Sequence, residues 1–102
     1  QRCRLKDMYR IVLLKLARYH FQCNQDRLSL TYAQKALAED RGCEEAHCLI
    51  MKLKHRVGQR DELTRQYHLC ERTLAEVEDR RPSPETLQLY QRLLQARSPL
   101  KT

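Results

Sequence analysis

The amino-acid sequence predicts an all-α fold: about five antiparallel helices in a right-handed stack, built as a helical repeat. Three observations carry that prediction. Only two Gly and three Pro punctuate the 102 residues, while Leu, Ala, Glu, Gln, Lys and Arg, which form helices readily, dominate. Apolar residues recur at steps of three and four, as in Leu63, Tyr67, Cys70, Leu74 and Val77, and that spacing lines one face of an α-helix. The few turn-forming residues fall between such stretches, not inside them.

The first helix is expected over about 3–21. Its buried stripe is Leu5, Met8, Tyr9, Val12, Leu13, Leu16, Ala17 and His20, with Lys6, Arg10, Lys15 and Arg18 outside. Asn24-Gln25-Asp26 supplies the turn into a second helix over about 26–40, where Leu30, Tyr32, Ala33, Ala36 and Leu37 face inward. The small side chains of Ser29, Ala33 and Ala36 let a neighbouring helix approach closely. Asp40-Arg41-Gly42 ends this helix. Ala46, Leu49, Ile50, Leu53 and Val57 give the third helix its apolar face, and Gly58 closes it in a left-handed conformation that only glycine adopts without a Cβ penalty. The fourth helix carries the Leu63 to Val77 face. After Pro82, Ser83 accepts a hydrogen bond from the first turn of the last helix, and Pro84 falls at its first position, where a missing N–H costs nothing. Leu87, Tyr90, Leu93 and Leu94 line one side of that helix, about 83–96, which caps the stack; 98–102 is a tail.

A shift of 34 positions relates the two halves. Leu13 lands on His47, Leu16 on Ile50, Ala17 on Met51, Ser29 on Leu63, Ala33 on Tyr67 and Ala36 on Cys70, while the Asn24 turn lands on Gly58. That period belongs to the tetratricopeptide repeat, a helix–turn–helix unit that buries its faces by stacking on copies of itself. The match is one of helix phase and turn position more than of identity. It divides a single domain over 1–97 into a first repeat (about 3–41), a second (about 43–79) and the capping helix. A chain of this size holds one modest core.

Composition narrows the function. No run of about 18 uncharged apolar residues exists, so no helix is expected to span a membrane, and the charged start carries no signal peptide. A first residue of Gln rather than Met is read as the start of a fragment of a longer protein. Five cysteines (Cys3, Cys23, Cys43, Cys48, Cys70) are an odd set without paired spacing. They fit a reducing cytoplasm and use as small apolar residues. The net charge of +7 is compatible with attraction to nucleic acid or an acidic partner, and equally with a solvated helical surface, which the even spread of cations favours.

Chemistry by side chains is poorly supported. Zinc takes four convergent ligands, whereas His20 and Cys23 straddle a helix end and the adjacent His47 and Cys48 point about 100° apart. No glycine-rich strand–turn–helix element holds a nucleophile or an oxyanion hole, and two isolated glycines make no phosphate loop. Glu44, Glu45, Asp61 and Glu62 sit near helix N-termini, where negative charge suits the helix dipole. The chain is therefore expected to be no enzyme and to hold no cofactor or metal. His20 and His47 lie on inward faces, where they are either pH-responsive groups or satisfied core residues.

The second half is more specific than a generic repeat. Glu44-Glu45-Ala46-His47, Leu49-Ile50-Met51, Gly58, Gln66-Tyr67, Leu74-Ala75-Glu76, Pro82-Ser83-Pro84-Glu85-Thr86 and Leu89-Tyr90 follow in one order. Their spacing resembles the bacterial transcriptional activator domain, the helical module of the Streptomyces antibiotic regulatory protein family. The resemblance covers nearly the whole chain and is strongest from Glu44 to Tyr90. It departs from the family in two turns: Asp40-Arg41-Gly42-Cys43 replaces an Asp-Pro turn, and Glu78-Asp79 stand where a glycine is usual.

The resemblance implies a regulatory module that follows a winged-helix DNA-binding domain in its parent protein. Such a module packs on that domain, self-associates or contacts the transcription machinery, and reaches DNA through the parent chain. The expected mechanism is non-covalent binding of a protein partner or a second copy on a concave surface. Tyr9, Tyr32, Tyr67 and Tyr90 are its candidate large anchors, Tyr67 being also a core position. Lys52, Arg56, Arg60 and Arg65 gather near the Gly58 turn as a candidate positive rim. Three other classes stay open: a generic tetratricopeptide scaffold, an accessory nucleic-acid-binding module and a ligand sensor.

Overall fold

Where this chain turns, it does so with residues that tolerate unusual backbone geometry or close approach. Asn24 (φ 60°), Gly58 (φ 77°) and Asp79 (φ 52°) are left-handed, and each closes a helix. At the remaining turn Asp40 organises the chain through its side chain, whose Oδ1 accepts from the Gly42 N–H at 3.2 Å. Gly42 itself is buried, and a Cβ there would lie 2.8 Å from Glu78 Oε2 and 3.3 Å from Leu74 Cδ2. That turn passes close beneath the fourth helix, and a larger residue there would make the ends of the Glu78 and Leu74 side chains shift.

The computed structural model describes residues 2–96, with side chains from Leu5 onward; the expected tail over 98–102 lies outside them. The described residues form five helices and no strand: α1 (Arg2–Gln22), α2 (Asp26–Glu39), α3 (Glu44–Arg56), α4 (Arg60–Glu78) and α5 (Pro84–Gln95). The last begins as expected, with Ser83 Oγ accepting from the Thr86 N–H and Pro84 opening the first turn. The fold is all-α and consistent with a tetratricopeptide-like stack.

Small residues bring α1, α2 and α3 together. Ala17, Ala33, Ala36 and Ala46 are fully buried, and Ser29 donates its hydroxyl to the Ala17 carbonyl at 2.7 Å, tying α2 to the α1 backbone. Onto this floor α3 lays two patches. Cys43 and Ala46 meet Leu13, Leu14 and Ala36, and Leu49, Ile50 and Leu53 meet Ala17 and Ala33. A further cluster joins Met51 of α3, Leu63 and Tyr67 of α4, and Leu89 of α5.

Most inward positions of α2 to α4 lie where the periodicity puts them. Three positions differ: Val57, Val77 and Leu87, expected on apolar faces, are exposed. In α5 the buried residues are Thr86 and Leu89. The main correction concerns α1. Leu5, Met8, Tyr9 and Val12, expected in the core, are exposed. The buried residues are Leu13, Leu14 and Ala17, and Arg10, expected outside, is half-buried. The helix has two apolar faces, and α2 and α3 cover the less obvious one.

That phase has a stability consequence. Leu14→Ala should cost about 2–5 kcal/mol, as a buried large-to-small change does. Val12→Ala should stay within about 0.5 kcal/mol. Urea denaturation of the two variants checks this, and equal costs would mean that α1 is rotated from its described position.

Candidate protein-interaction surface

At about 100° per residue, Leu5, Met8, Tyr9, Val12, Leu16 and Tyr19 fall within roughly one quarter of the circumference of α1. The buried Leu13, Leu14 and Ala17 centre roughly 140° away. Met8, Tyr9, Val12 and Tyr19 are 56 %, 49 %, 52 % and 59 % exposed, although they form a continuous apolar stripe. Single exposed hydrophobics are ordinary, whereas a contiguous row is a candidate contact surface. Leu28, 43 % exposed on α2, adds a further exposed apolar side chain. Arg18, beside the stripe, pairs with Glu45 of α3.

Of the residues expected to bind a partner, Tyr9 lies within this stripe. The others are dispersed. Tyr32 is half-buried and stacked on His20, ring centroids 5.4 Å apart, with the Lys35 ammonium 5.7 Å over its ring. Tyr90 stacks on Tyr67 with centroids 4.1 Å apart and planes 3° from parallel, which joins α5 to α4. Arg65 pairs with Glu62 at 2.9 Å, while Lys52 and Arg60 are exposed on α3 and α4. Arg56 is engaged across the stack: Nη1 donates to Asp26 Oδ1 at 2.7 Å and Asn24 Oδ1 at 3.0 Å, and Nη2 to the Phe21 carbonyl at 3.1 Å. Its guanidinium also lies 3.8 Å from the Phe21 ring centroid. This side chain, placed on a rim by sequence, clamps the α1–α2 turn to the end of α3.

Glu44, read in the sequence only as complementing a helix dipole, and His47, read as a pH-responsive or a satisfied core group, both make long-range contacts. The Glu44 carboxylate accepts from the Ser83 N–H at 2.9 Å, the Thr86 hydroxyl at 2.6 Å and Arg80 Nη1 at 2.6 Å. Partial burial pushes its pKa up, but the hydrogen bonds from Thr86, Ser83 and Arg80 outweigh that and hold it down at about 2. Glu44 thus fastens the start of α5 to the start of α3. Buried His47 shares Nε2 with the Arg41 carbonyl at 2.9 Å and Nδ1 with Gln66 Nε2 at 2.7 Å. A carbonyl only accepts, so Nε2 carries the proton, and Nδ1 takes the hydrogen bond from the Gln66 amide. The neutral ring is fully satisfied, and burial lowers its pKa. Protonating Nδ1 would set two donors against each other. Burial likewise pushes the Cys70 thiol up to about 12, so this cysteine stays protonated and packs as an apolar residue.

One family model, the bacterial transcriptional activator domain, matches residues 1–94. The chain belongs to that family. No protein of curated function and no solved structure matches it. As a bacterial transcriptional activator domain it serves transcription regulation. Among the described residues of this activator domain, no three His, Cys, Asp or Glu side chains are grouped to hold a metal ion. None of its described helices is long and apolar enough to cross a membrane.

Acid should loosen the activator domain in two steps. His47 has a folded pKa below 6.5, so its contribution is present above that pH and is lost as pH falls. Glu44 has a folded pKa of about 2 against 4.5 for the free group. Its contribution, on the order of 2–3 kcal/mol, is complete above 4.5 and disappears as pH falls through 2. Urea denaturation between pH 7 and pH 2 checks both, and Glu44→Gln should abolish the lower step while leaving the upper one.

Proposed function

We propose that this chain is the regulatory protein-interaction module of a bacterial transcriptional activator and acts by non-covalent contact through the outward face of α1. The observation that supports this reading is the row Leu5, Met8, Tyr9 and Val12, exposed along one helix with no covering element among the described residues. Leaving such a row in water forgoes roughly 25 cal/mol for each Å² of apolar surface, so a protein surface that covers it gains affinity. Tyr9 supplies the large amphipathic side chain typical of interface anchors. In regulators of this kind the contact is packing on a neighbouring winged-helix DNA-binding domain, self-association or engagement of the transcription machinery, and DNA is reached through the parent protein.

A direct nucleic-acid role is less well supported. Several of its cations are matched by carboxylates, as in Arg18 with Glu45, Arg41 with Glu76, Arg56 with Asp26 and Arg80 with Glu44. Phosphate binding would have to compete with those pairs.

Val12→Asp, with Tyr9→Ala as a milder second variant, tests the reading in the regulator that carries the module. Each should leave the stability of the module within about 0.5 kcal/mol. Val12→Asp should lower promoter activation roughly tenfold, the equivalent of about 1.4 kcal/mol of lost docking. Full activation by a stable Val12→Asp protein, measured with a reporter gene, would remove the outward face of α1 from the mechanism.

A further inference from the structure

Arg18, Lys52 and Arg92 stand at one level of three neighbouring helices. A shift of 34 positions carries Arg18 onto Lys52, and a further 40 carries Lys52 onto Arg92. The packing around them agrees. Ala17 meets Leu49, Ile50 and Leu53, which sets Arg18 of α1 level with Lys52 of α3. Between α3 and α5, Cys48 Sγ lies 3.4 Å from Thr86 Oγ1 and His55 Nε2 lies 3.3 Å from the Ala96 carbonyl. Lys52 and Arg92 fall between those two contacts. All three cations are exposed, and each turns away from the even-numbered helices. Arg18 is about 160° around α1 from His20, which stacks on Tyr32 of α2. Lys52 is about 140° around α3 from His47, which is bonded to Gln66 of α4. Arg92 is about 160° around α5 from Tyr90, which stacks on Tyr67 of α4. The three form one row across the face that α1, α3 and α5 line.

The row is not neutralised. Lys52 and Arg92 have no carboxylate partner among the described residues, and Arg18 pairs with Glu45 through Nη1, an exposed pair that costs little to share. Like charges held in register favour an anionic chain that spans them. Packed helices lie about 8–10 Å apart, which sets the step between neighbouring cations. An extended peptide advances about 3.1–3.5 Å per residue and covers that step in three residues. Polyproline II geometry, with three residues per turn, also returns every third side chain to the same side. Gln22 and Gln88, exposed one turn from Arg18 and Arg92, add carboxamides that donate and accept toward a peptide main chain. Nucleic acid fits less well. Seven residues back along the strips of Lys52 and Arg92 stand Glu45 and Glu85, about 10 Å away along each helix. Those carboxylates repel a broad polyanion such as a duplex but lie beyond the roughly 8 Å screening length from a narrow chain on the cation row.

We propose that the face lined by α1, α3 and α5 binds an extended acidic protein segment whose Asp or Glu side chains, three positions apart, meet Arg18, Lys52 and Arg92 in turn. This site is separate from the apolar row on α1, since Arg18 lies about 120° around that helix from Val12. Either surface can fail its test without the other.

Two end-blocked peptides of one composition test it, titrated at low salt into the isotope-labelled chain and followed by NMR. Glu-Pro-Pro-Glu-Pro-Pro-Glu holds its carboxylates in register with the row, and Glu-Glu-Glu-Pro-Pro-Pro-Pro does not. The spaced peptide should bind with a Kd below about 1 mM, shift the signals of Arg18, Lys52 and Arg92, and weaken at least about fivefold on going to 0.15 M salt. The clustered peptide should bind at least about fivefold more weakly than the spaced one. Lys52→Glu should lower the affinity of the spaced peptide about tenfold, whereas Arg72→Glu, which reverses an exposed cation of α4, should leave it within about twofold. Equal binding of the two peptides, no binding of either, or an unchanged affinity in Lys52→Glu overturns the proposal. A short single-stranded oligonucleotide that binds more tightly than the spaced peptide, and is lost in Lys52→Glu, overturns it in favour of phosphate recognition.

Discussion

Close backbone approach at Ala17, Ala33, Ala36 and Ala46, all without exposed surface, is the constraint on which the remainder of this fold depends. Methyl groups at these four points let α3 settle onto α1 and α2, with Cys43 and Ala46 against Leu13, Leu14 and Ala36, and Leu49, Ile50 and Leu53 against Ala17 and Ala33. Protein interiors are packed too tightly for larger side chains at such points to be absorbed without backbone shifts. Ser29 serves the same closeness in another way, because its hydroxyl finds the Ala17 carbonyl instead of staying unpaired in the core. Once α3 is seated, the second hairpin and α5 have a surface to build on.

The second hairpin is joined to its neighbours by polar contacts as much as by apolar ones. Glu44 gathers the Ser83 N–H, the Thr86 hydroxyl and Arg80, so one carboxylate at the start of α3 fixes where α5 begins. His47, one turn along α3, joins the Arg41 carbonyl to Gln66 of α4. Arg56, at the other end of α3, holds the α1–α2 turn. These three side chains set the relative placement of the helices, and the stacked pair Tyr67 and Tyr90 completes the junction between α4 and α5. The exposed apolar row that none of these ties involves lies on α1.

Much of this was legible in the sequence, for physical reasons that differ by element. The turns at Asn24, Gly58 and Pro82-Ser83-Pro84 are local: the residue types themselves carry the backbone preference, so their positions can be read directly. The inward faces of α2, α3 and α4 follow a single period, and each has only one apolar side to choose. In α1 there are two, since Leu13, Leu14 and Ala17 line one face and Met8, Tyr9, Val12 and Tyr19 the other. Periodicity merges the two into one stripe that contains Leu13 and Ala17 as well as Met8, Tyr9 and Val12, and only the position of α2 and α3 decides which part is covered. The roles of Glu44, His47 and Arg56 depend, the Arg41 carbonyl on His47 aside, on partners 19 to 42 positions away, and no spacing within one helix announces such contacts. The candidate residues Tyr32 and Tyr90 were picked as large anchors by type, but aromatic rings pack as readily on each other as on a partner.

Hydroxyl-radical footprinting of α1, in the chain alone and in the assembled regulator, tests the central claim most directly. In the chain alone Met8, Tyr9 and Tyr19 should oxidise quickly, while buried Met51 and Tyr67 stay protected. In the assembled regulator the three α1 residues should become protected together, with exposed His68 of α4 unchanged. Undiminished oxidation of Met8, Tyr9 and Tyr19 in an active regulator would contradict the account, because the outward face of α1 would then meet water in the working state.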